Sequence, residues 1–160
     1  SAEIQLQLGN MFFGEGRYRE SLEAYTNAVE VAPPDQMRQA RSGVILSSLR
    51  VAEFETARGE AEKLIQESPR APESIALYGD TLWASGLFGQ AEPKYQDALA
   101  MTPDLARGLH GMARALAASI RTGASVVESV RVAPLGVPLV MESVNSGSRS
   151  MTEATSTSSA

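Results

Sequence analysis

The sequence contains no cysteine and a single histidine, His110. Disulfides, thiolate zinc sites and cysteine nucleophiles are therefore excluded, and a zinc site needing several imidazole or thiolate ligands goes with them. A Ser-His-Asp arrangement would have to be built on His110. No Gly-x-Ser-x-Gly elbow occurs, and His110 falls on a helical segment between Arg107 and Arg114, where it reads as a surface residue. No stretch has the carboxylate spacing of a calcium loop. Gly14-Glu15-Gly16, the glycine pair most like a phosphate cradle, lacks a preceding strand and a third glycine. No cofactor, no metal and no catalysis are expected.

Lysine is scarce, with only Lys63 and Lys94. Fourteen basic residues face nineteen acidic ones, for a net charge of −5. A nucleic-acid partner is not expected, because neutralising phosphates takes a basic face. There is no run of about 18 or more apolar residues, so no membrane-spanning helix is expected. No secretory leader is visible. The chain opens on Ser-Ala without methionine and reads as a processed or excised fragment. Cysteine-free proteins occur in cytosol and periplasm alike, so a cytoplasmic and a periplasmic location stand equal.

What is present is helical periodicity, broken at regular intervals. Ile4, Leu8, Met11 and Phe12 recur on one helical face, and Gly14 and Gly16 end it. Leu22, Tyr25, Ala28 and Val29 form a second face, which stops at Pro33-Pro34. Asp35 is placed to cap a third helix, whose face is Val44, Ile45, Ser48 and Leu49. Ala52 lies at the next turn, and Phe54, Ala57, Ala61, Leu64 and Ile65 form a fourth face ending at Pro69. Ile75, Tyr78, Gly79 and Leu82 precede Gly86; Phe88, Ala91, Tyr95, Ala98 and Leu99 precede Pro103. Pro93 is expected in the first turn of its helix, where a missing N–H costs little. A seventh helix is expected over 104–119, with Leu105, Leu109, Met112, Ala113 and Leu116 on its apolar face. Residues 121–160 differ in character: half of the last twenty are Ser or Thr. They read as a poorly ordered tail, with a short helix over 124–132 as an alternative for that stretch.

Pro69 to Pro103 is 34 residues, and Pro33 to Pro69 is 36. Aligned on these prolines, Leu8-Gly9-x-x-Phe12 matches Tyr78-Gly79-x-x-Leu82, and Gly16-x-Tyr18 matches Gly86-x-Phe88. Ser21, Tyr25 and Ala28 match Ala91, Tyr95 and Ala98. The pattern resembles the tetratricopeptide repeat family, a 34-residue helix–turn–helix with large-Gly-x-x-aromatic in the first helix and Ala-x-x-x-aromatic in the second. The resemblance covers roughly residues 2–120. It departs at the first-helix Trp, replaced by Gln5 and Ile75, and in the middle unit. There Ile45 stands at the glycine, Ser48 at the aromatic and Ala52 at the turn glycine.

The resemblance implies an all-α, right-handed solenoid of about three helix–turn–helix repeats plus a capping helix. The units would be 2–35, 36–71 and 72–105, the capping helix 105–119, and residues 121–160 a Ser/Thr-rich tail. A chance repetition in an ordinary bundle is the alternative. The resemblance also implies a concave groove lined by first helices, carrying Glu3, Leu6, Asn10 and Phe13; Gln39, Ser42, Leu46, Leu49 and Arg50; Glu73, Ala76, Asp80, Trp83 and Ala84; and Arg107, His110, Arg114 and Ala117. Of these, Asn10, Phe13, Leu46, Leu49, Arg50, Asp80, Trp83, Arg107, His110 and Arg114 are the candidate partner-binding residues. Exposed apolar side chains mark contact sites, and Trp and Arg are common anchors there; Trp83 and Leu49 alternatively pack as core. Charge is expected to grade from Glu3, Glu73 and Asp80 to Arg107 and Arg114. One subfamily clamps a peptide carboxylate with lysines, an arginine and asparagines; only Asn10 fits that set.

The expected function is therefore a non-catalytic module binding a peptide or helix of a protein partner. The second expectation is a structural segment of a larger repeat protein or complex, with self-association through the solenoid ends. The acidic run Glu53, Glu55, Glu60 and Glu62 is expected to be a solvated face, balanced by Arg50 and Arg58.

Overall fold

The computed structural model describes residues 1–122. These form seven helices: α1 (Ala2–Gly14), α2 (Tyr18–Val31), α3 (Pro34–Arg50), α4 (Phe54–Glu67), α5 (Pro72–Ala84), α6 (Phe88–Met101) and α7 (Ala106–Thr122). The helix expected over 104–119 thus starts later and runs on to Thr122. The segment 124–132 and the rest of the expected tail lie outside the described residues.

Three of the connections are built alike. Gly16 (φ 76°), Ala52 (φ 62°) and Gly86 (φ 77°) each take the left-handed conformation after a first helix. The following N–H then turns back: Arg17 donates to the Phe12 carbonyl, Glu53 to that of Ser48 and Leu87 to that of Leu82, each at 2.9 Å. This satisfies a terminal carbonyl that the helix itself cannot. The Pro33-Pro34 pair works in both directions. It ends α2, and Pro34 opens α3, where the fixed φ suits a first helical residue. Asp35 therefore sits inside the first turn and makes no side-chain cap, contrary to expectation; its charge faces the positive end of the helix. Pro93 also departs from expectation. Because α6 begins at Phe88, Pro93 falls in the second turn, inside the helix.

Each helix packs on its neighbours in sequence, and the first helices also touch one another: α1 on α3, α3 on α5, and α5 on α7. Among the described residues no such contact joins α2 to α4 or α4 to α6. First helices therefore line the inside of a curve and second helices its outside.

The core is a series of layers between hairpins. Tyr25 and Tyr95 fill two of them. A β-carbon on Gly9 would come within 2.7 Å of the Tyr25 ring, and one on Gly79 within 2.7 Å of the Tyr95 ring. Gly43 and Gly111, from the next unit's first helix, press on the opposite sides of the same rings even more closely. Each ring is thus held between two glycines on successive first helices. In the middle layer the volumes are exchanged. Ile45 stands where Gly9 and Gly79 do, Ala61 where the tyrosines do, and Leu77 where Gly43 and Gly111 do. Ile45, Ala61 and Leu77 pack in one buried cluster with Ala57 and Leu64. Large and small residues have changed places while the layer stays filled, the kind of swap close-packed interiors tolerate.

Several apolar positions are not where periodicity alone puts them. Ile4 (57% exposed) and Met11 (48%) lie on the surface of α1, while Ala2, Leu6 and Gly9 are buried. On α7 the buried positions are Gly108, Gly111 and Ala115, and Leu109, Ala113 and Leu116 are exposed. A first helix in such a stack presents apolar residues to two neighbours. Each end helix has one of those neighbours missing among the described residues. Phe88 is likewise exposed and lies against Trp83. Glu60 is not a solvated residue. It is partly buried and bound by Arg41 Nη1 at 2.5 Å and by Lys63 at 2.6 Å.

Candidate functional site

The inner surface carries a cavity of about 720 Å³ where α3, α5 and α7 meet. Leu46, Leu49 and Arg50 come from α3; Glu73, Asp80 and Ala84 from α5; and Leu105, Ala106, Arg107, His110 and Arg114 from the start of α7 and the residue before it. Seven of the ten candidate residues are brought together here: Leu46, Leu49, Arg50, Asp80, Arg107, His110 and Arg114. Asn10, Phe13 and Trp83 do not line it. Phe13 packs edge-on against Tyr18, with ring centroids 5.2 Å apart. The Trp83 ring centroid lies 4.6 Å from that of Phe88, and Trp83 packs against the buried cluster around Tyr95. Leu6 and Ala76, expected in the groove, are buried core residues.

Asp80 organises the cavity floor. It follows Gly79 directly, which places it at the rim of the Tyr95 ring. The Tyr95 hydroxyl donates to Asp80 Oδ1 at 2.9 Å, and Arg114 Nη2 donates to the same oxygen at 2.5 Å. Arg107 Nη1 donates to Oδ2 at 2.7 Å, while its Nε reaches Glu73 at 2.7 Å. Arg114 Nη2 also lies 3.0 Å from the Tyr95 hydroxyl, and its guanidinium carbon is 5.5 Å from the Trp83 ring centroid. Such charge-assisted bonds are short and directional. The expected gradient of charge is not found, because Glu73 and Asp80 pair with Arg107 and Arg114 instead of standing apart from them.

The same arrangement occurs in simpler form at the other end. Asn10 follows Gly9, and the Tyr25 hydroxyl donates to its Oδ1 at 2.6 Å. Leu46 holds the corresponding position in the middle unit, where Ala61 offers no hydroxyl to bind. An apolar residue there leaves no polar atom without a partner.

Burial pushes the Tyr95 phenol well above its ordinary value, and the negative charge and hydrogen bonding of Asp80 push the same way against Arg114. Burial favours the neutral form of Arg107, but hydrogen bonds to Glu73 and Asp80 outweigh it and hold the proton more tightly than usual. Neither group is poised for proton transfer near neutrality.

A second cavity, of about 910 Å³, adjoins the first through Glu73. Asp35, Arg38, Gln39 and Ser42 of α3 line one side, and Ser68 to Ser74 the other. Gln39 and Ser42 were expected in the groove. Arg38 and Arg70 carry no signal in the sequence beyond their charge.

No protein-family model matches the chain. A stretch of 91 residues is 29% identical to the DnaJ homolog subfamily C member 7 homolog of Schizosaccharomyces pombe. The match covers 57% of this chain and 19% of that protein, so the chain spans about a fifth of the relative's length. Solved structures agree more widely. The first TPR of Spaghetti (RPAP3), bound to the HSP90 peptide SRMEEVD, superimposes with a TM-score of 0.65 at 17% identity, covering 74% of this chain and 93% of that one. The second TPR domain of human RPAP3, in complex with the HSP70 peptide SGPTIEEVD, gives 0.61 at 18% identity, covering 72% and 98%. TTC0263, a thermophilic TPR protein of Thermus thermophilus, gives 0.65 at 18% identity, covering 81% and 71%. With its seven helices, its repeated left-handed turns and its two tyrosine–glycine layers, this chain has the tetratricopeptide-repeat fold.

Proposed function

We propose that this chain is a non-catalytic interaction module whose groove takes a peptide or helix of a protein partner. The repeats are taken as 2–35, 36–71 and 72–105, with 105–119 closing the stack. The observation that carries the reading is the cavity between α3, α5 and α7, where aliphatic Leu46, Leu49 and Leu105 stand beside Arg50, Arg107, His110 and Arg114. Apolar surface with a few directed polar groups is what recognition sites offer. Two proteins of like fold hold peptides, from HSP90 and from HSP70. The test is quantitative affinity capture with the parent chain and with the Leu46→Ala/Leu49→Ala variant, both checked for unchanged helicity. A partner lost from the variant supports the groove; partners retained equally by both overturn it.

The ends of the stack favour a second reading, as a segment of a larger assembly. Ile4 and Met11 at one end and Leu109, Leu116 and Ile120 at the other are large, apolar and exposed. Sedimentation across a range of concentrations tests it. A size that rises with concentration, and falls back on Leu116→Glu, supports assembly. A monomer throughout, with a concentration-independent Tm, overturns it.

A further inference from the structure

Resting on the groove reading, we infer that the segment it takes carries a side-chain carboxylate next to a bulky apolar residue, and that Arg50 and Arg114 receive the carboxylate. The groove's own carboxylates are fully engaged. Asp80 accepts from Tyr95, Arg107 and Arg114, and Glu73 accepts from Arg107. Arg107 spends both Nε and Nη1 on these contacts.

The other two guanidinium groups are not used up. Arg114 commits only Nη2; its Nε is buried out of a ligand's reach, so Nη1 is the donor left for one. Arg50 is exposed and makes no ion pair among the described residues; its guanidinium lies over the Tyr18 ring, 5.3 Å from the centroid. Three guanidinium groups face two carboxylates in this cavity, so it carries an excess positive charge within a chain of net charge −5. The adjoining cavity adds Arg38 and Arg70 against Asp35, and neither arginine is in an ion pair among the described residues. The track along α3 therefore attracts negative charge.

Leu46, Leu49, Ala84 and Leu105 supply the apolar wall beside these donors. An all-apolar segment would leave the Arg50 charge and Arg114 Nη1 without a counterpart, and a basic one would be repelled. The carboxylate is assigned to a side chain within the segment, not to a chain end. Glu73 and Asp80 stand among the three guanidinium groups and leave one positive charge to be matched, and among the described residues no lysine or asparagine lines the cavity to hold a terminal carboxylate as well.

Random peptides displayed as internal inserts, with no free C-terminus, test this directly on the full chain. Enriched inserts are expected to carry Asp or Glu beside a large apolar residue. Made as synthetic amides, they should lose about tenfold in affinity on Arg50→Gln, and a similar factor when their own Glu becomes Gln. Changing both should add little to either loss. Arg50 makes no internal ion pair among the described residues, so its variant is expected to lose only the exposed contact with the Tyr18 ring and to keep the parent's helicity.

Apolar inserts enriched without an acidic residue overturn the carboxylate assignment and leave the groove reading standing. Acidic inserts bound equally by Arg50→Gln and Arg114→Gln overturn the assignment to this cavity. Peptides that bind only as free acids overturn the side-chain source. No enrichment at all overturns the groove reading and this inference together.

Discussion

The Tyr95 ring and the α-carbon of Gly111 lie so close that no β-carbon fits between them. The contact joins the second helix of one unit to the first helix of the next, and Tyr25 with Gly43 repeats it. Glycine inside a helix costs about 1 kcal/mol relative to alanine, so this closeness offsets a local penalty.

Gly111→Ala and Gly43→Ala are therefore expected to destabilise the chain by about 1–3 kcal/mol, overpacking outweighing the gain in helix propensity. Gly59 gives the matched control. It lies within α4, and a β-carbon there meets nothing within 4 Å. Gly59→Ala should stabilise by roughly 0.5–1 kcal/mol. Urea unfolding of the three variants checks the opposite signs.

The exchanged volumes of the middle layer predict strong non-additivity. Ala61→Tyr alone should cost about 3 kcal/mol or more, since Ile45 and Leu77 occupy the space a ring needs. Combined with Ile45→Gly and Leu77→Gly, it should be at least about 2 kcal/mol less damaging than the sum of the three single changes. Adding Leu46→Asn would give the new hydroxyl an acceptor and return about 1 kcal/mol. Additive behaviour would show that the three positions do not share one layer.

Ala52 holds a left-handed conformation in which its β-carbon crowds the backbone. Ala52→Gly should stabilise by about 0.5 kcal/mol, the relief of strain being partly offset by a freer unfolded chain. Gly16→Ala and Gly86→Ala, at the corresponding turns, should each destabilise by about 1 kcal/mol. Thermal melts followed by circular dichroism read these changes.

On the alkaline side, Tyr25 and Tyr95 are both raised in the folded state, burial being the main cause. A raised phenol contributes stability that is fully present below its unfolded value of 10.0 and lost as pH rises toward the folded one. Stability should therefore fall above about pH 10, with the tyrosinate absorbance that Tyr25 and Tyr95 contribute appearing together with loss of helix. Tyr95→Phe should cost about 1 kcal/mol at neutral pH while making the alkaline decline shallower.

The acid side has the opposite sign. Burial disfavours the Glu60 carboxylate, but hydrogen bonds from Lys63 and Arg41 outweigh it and lower its value below 4.5. The contribution is present above the unfolded value and is lost as pH falls through the folded one. Glu60→Gln should be less stable at neutral pH, with a smaller further loss on acidification. Equilibrium unfolding at a series of acidic pH values measures both.

Contacts within a unit were legible because they recur at fixed spacing. Gly9 with Tyr25, Gly79 with Tyr95, and the turns at Gly16 and Gly86 all follow that rule. Contacts between units were not. Gly43 and Gly111 repeat nothing in their own hairpins, and the available signal was only that each is a glycine inside a helix, where a packing reason is to be sought. Ile45 departs from the repeat pattern, and its compensation, Ala61 and Leu77, lies on two other helices, out of reach of spacing within α3. The apolar stripes of α1 and α7 were legible as stripes, but periodicity does not say which neighbour covers them. Asp80, Arg107 and Arg114 could each be placed on the groove from the repeat. Their pairing depended on how far α7 sits from α5, which no spacing within a unit encodes.

Every side-chain hydrogen bond and ion pair described above stays within α1–α4 or within α5–α7. Between those two groups the described packing is that of Ile45, Ala61, Leu64 and Leu77, with Leu46 and Leu49 at its margin. Aliphatic surfaces can slide a little without giving up a directional bond, whereas each tyrosine held between two glycines cannot. The chain is thus two blocks, each tied by directional bonds and joined to the other by aliphatic packing. Both cavities open across that joint, so a shear there would change the width of the groove without breaking a hydrogen bond or ion pair described above.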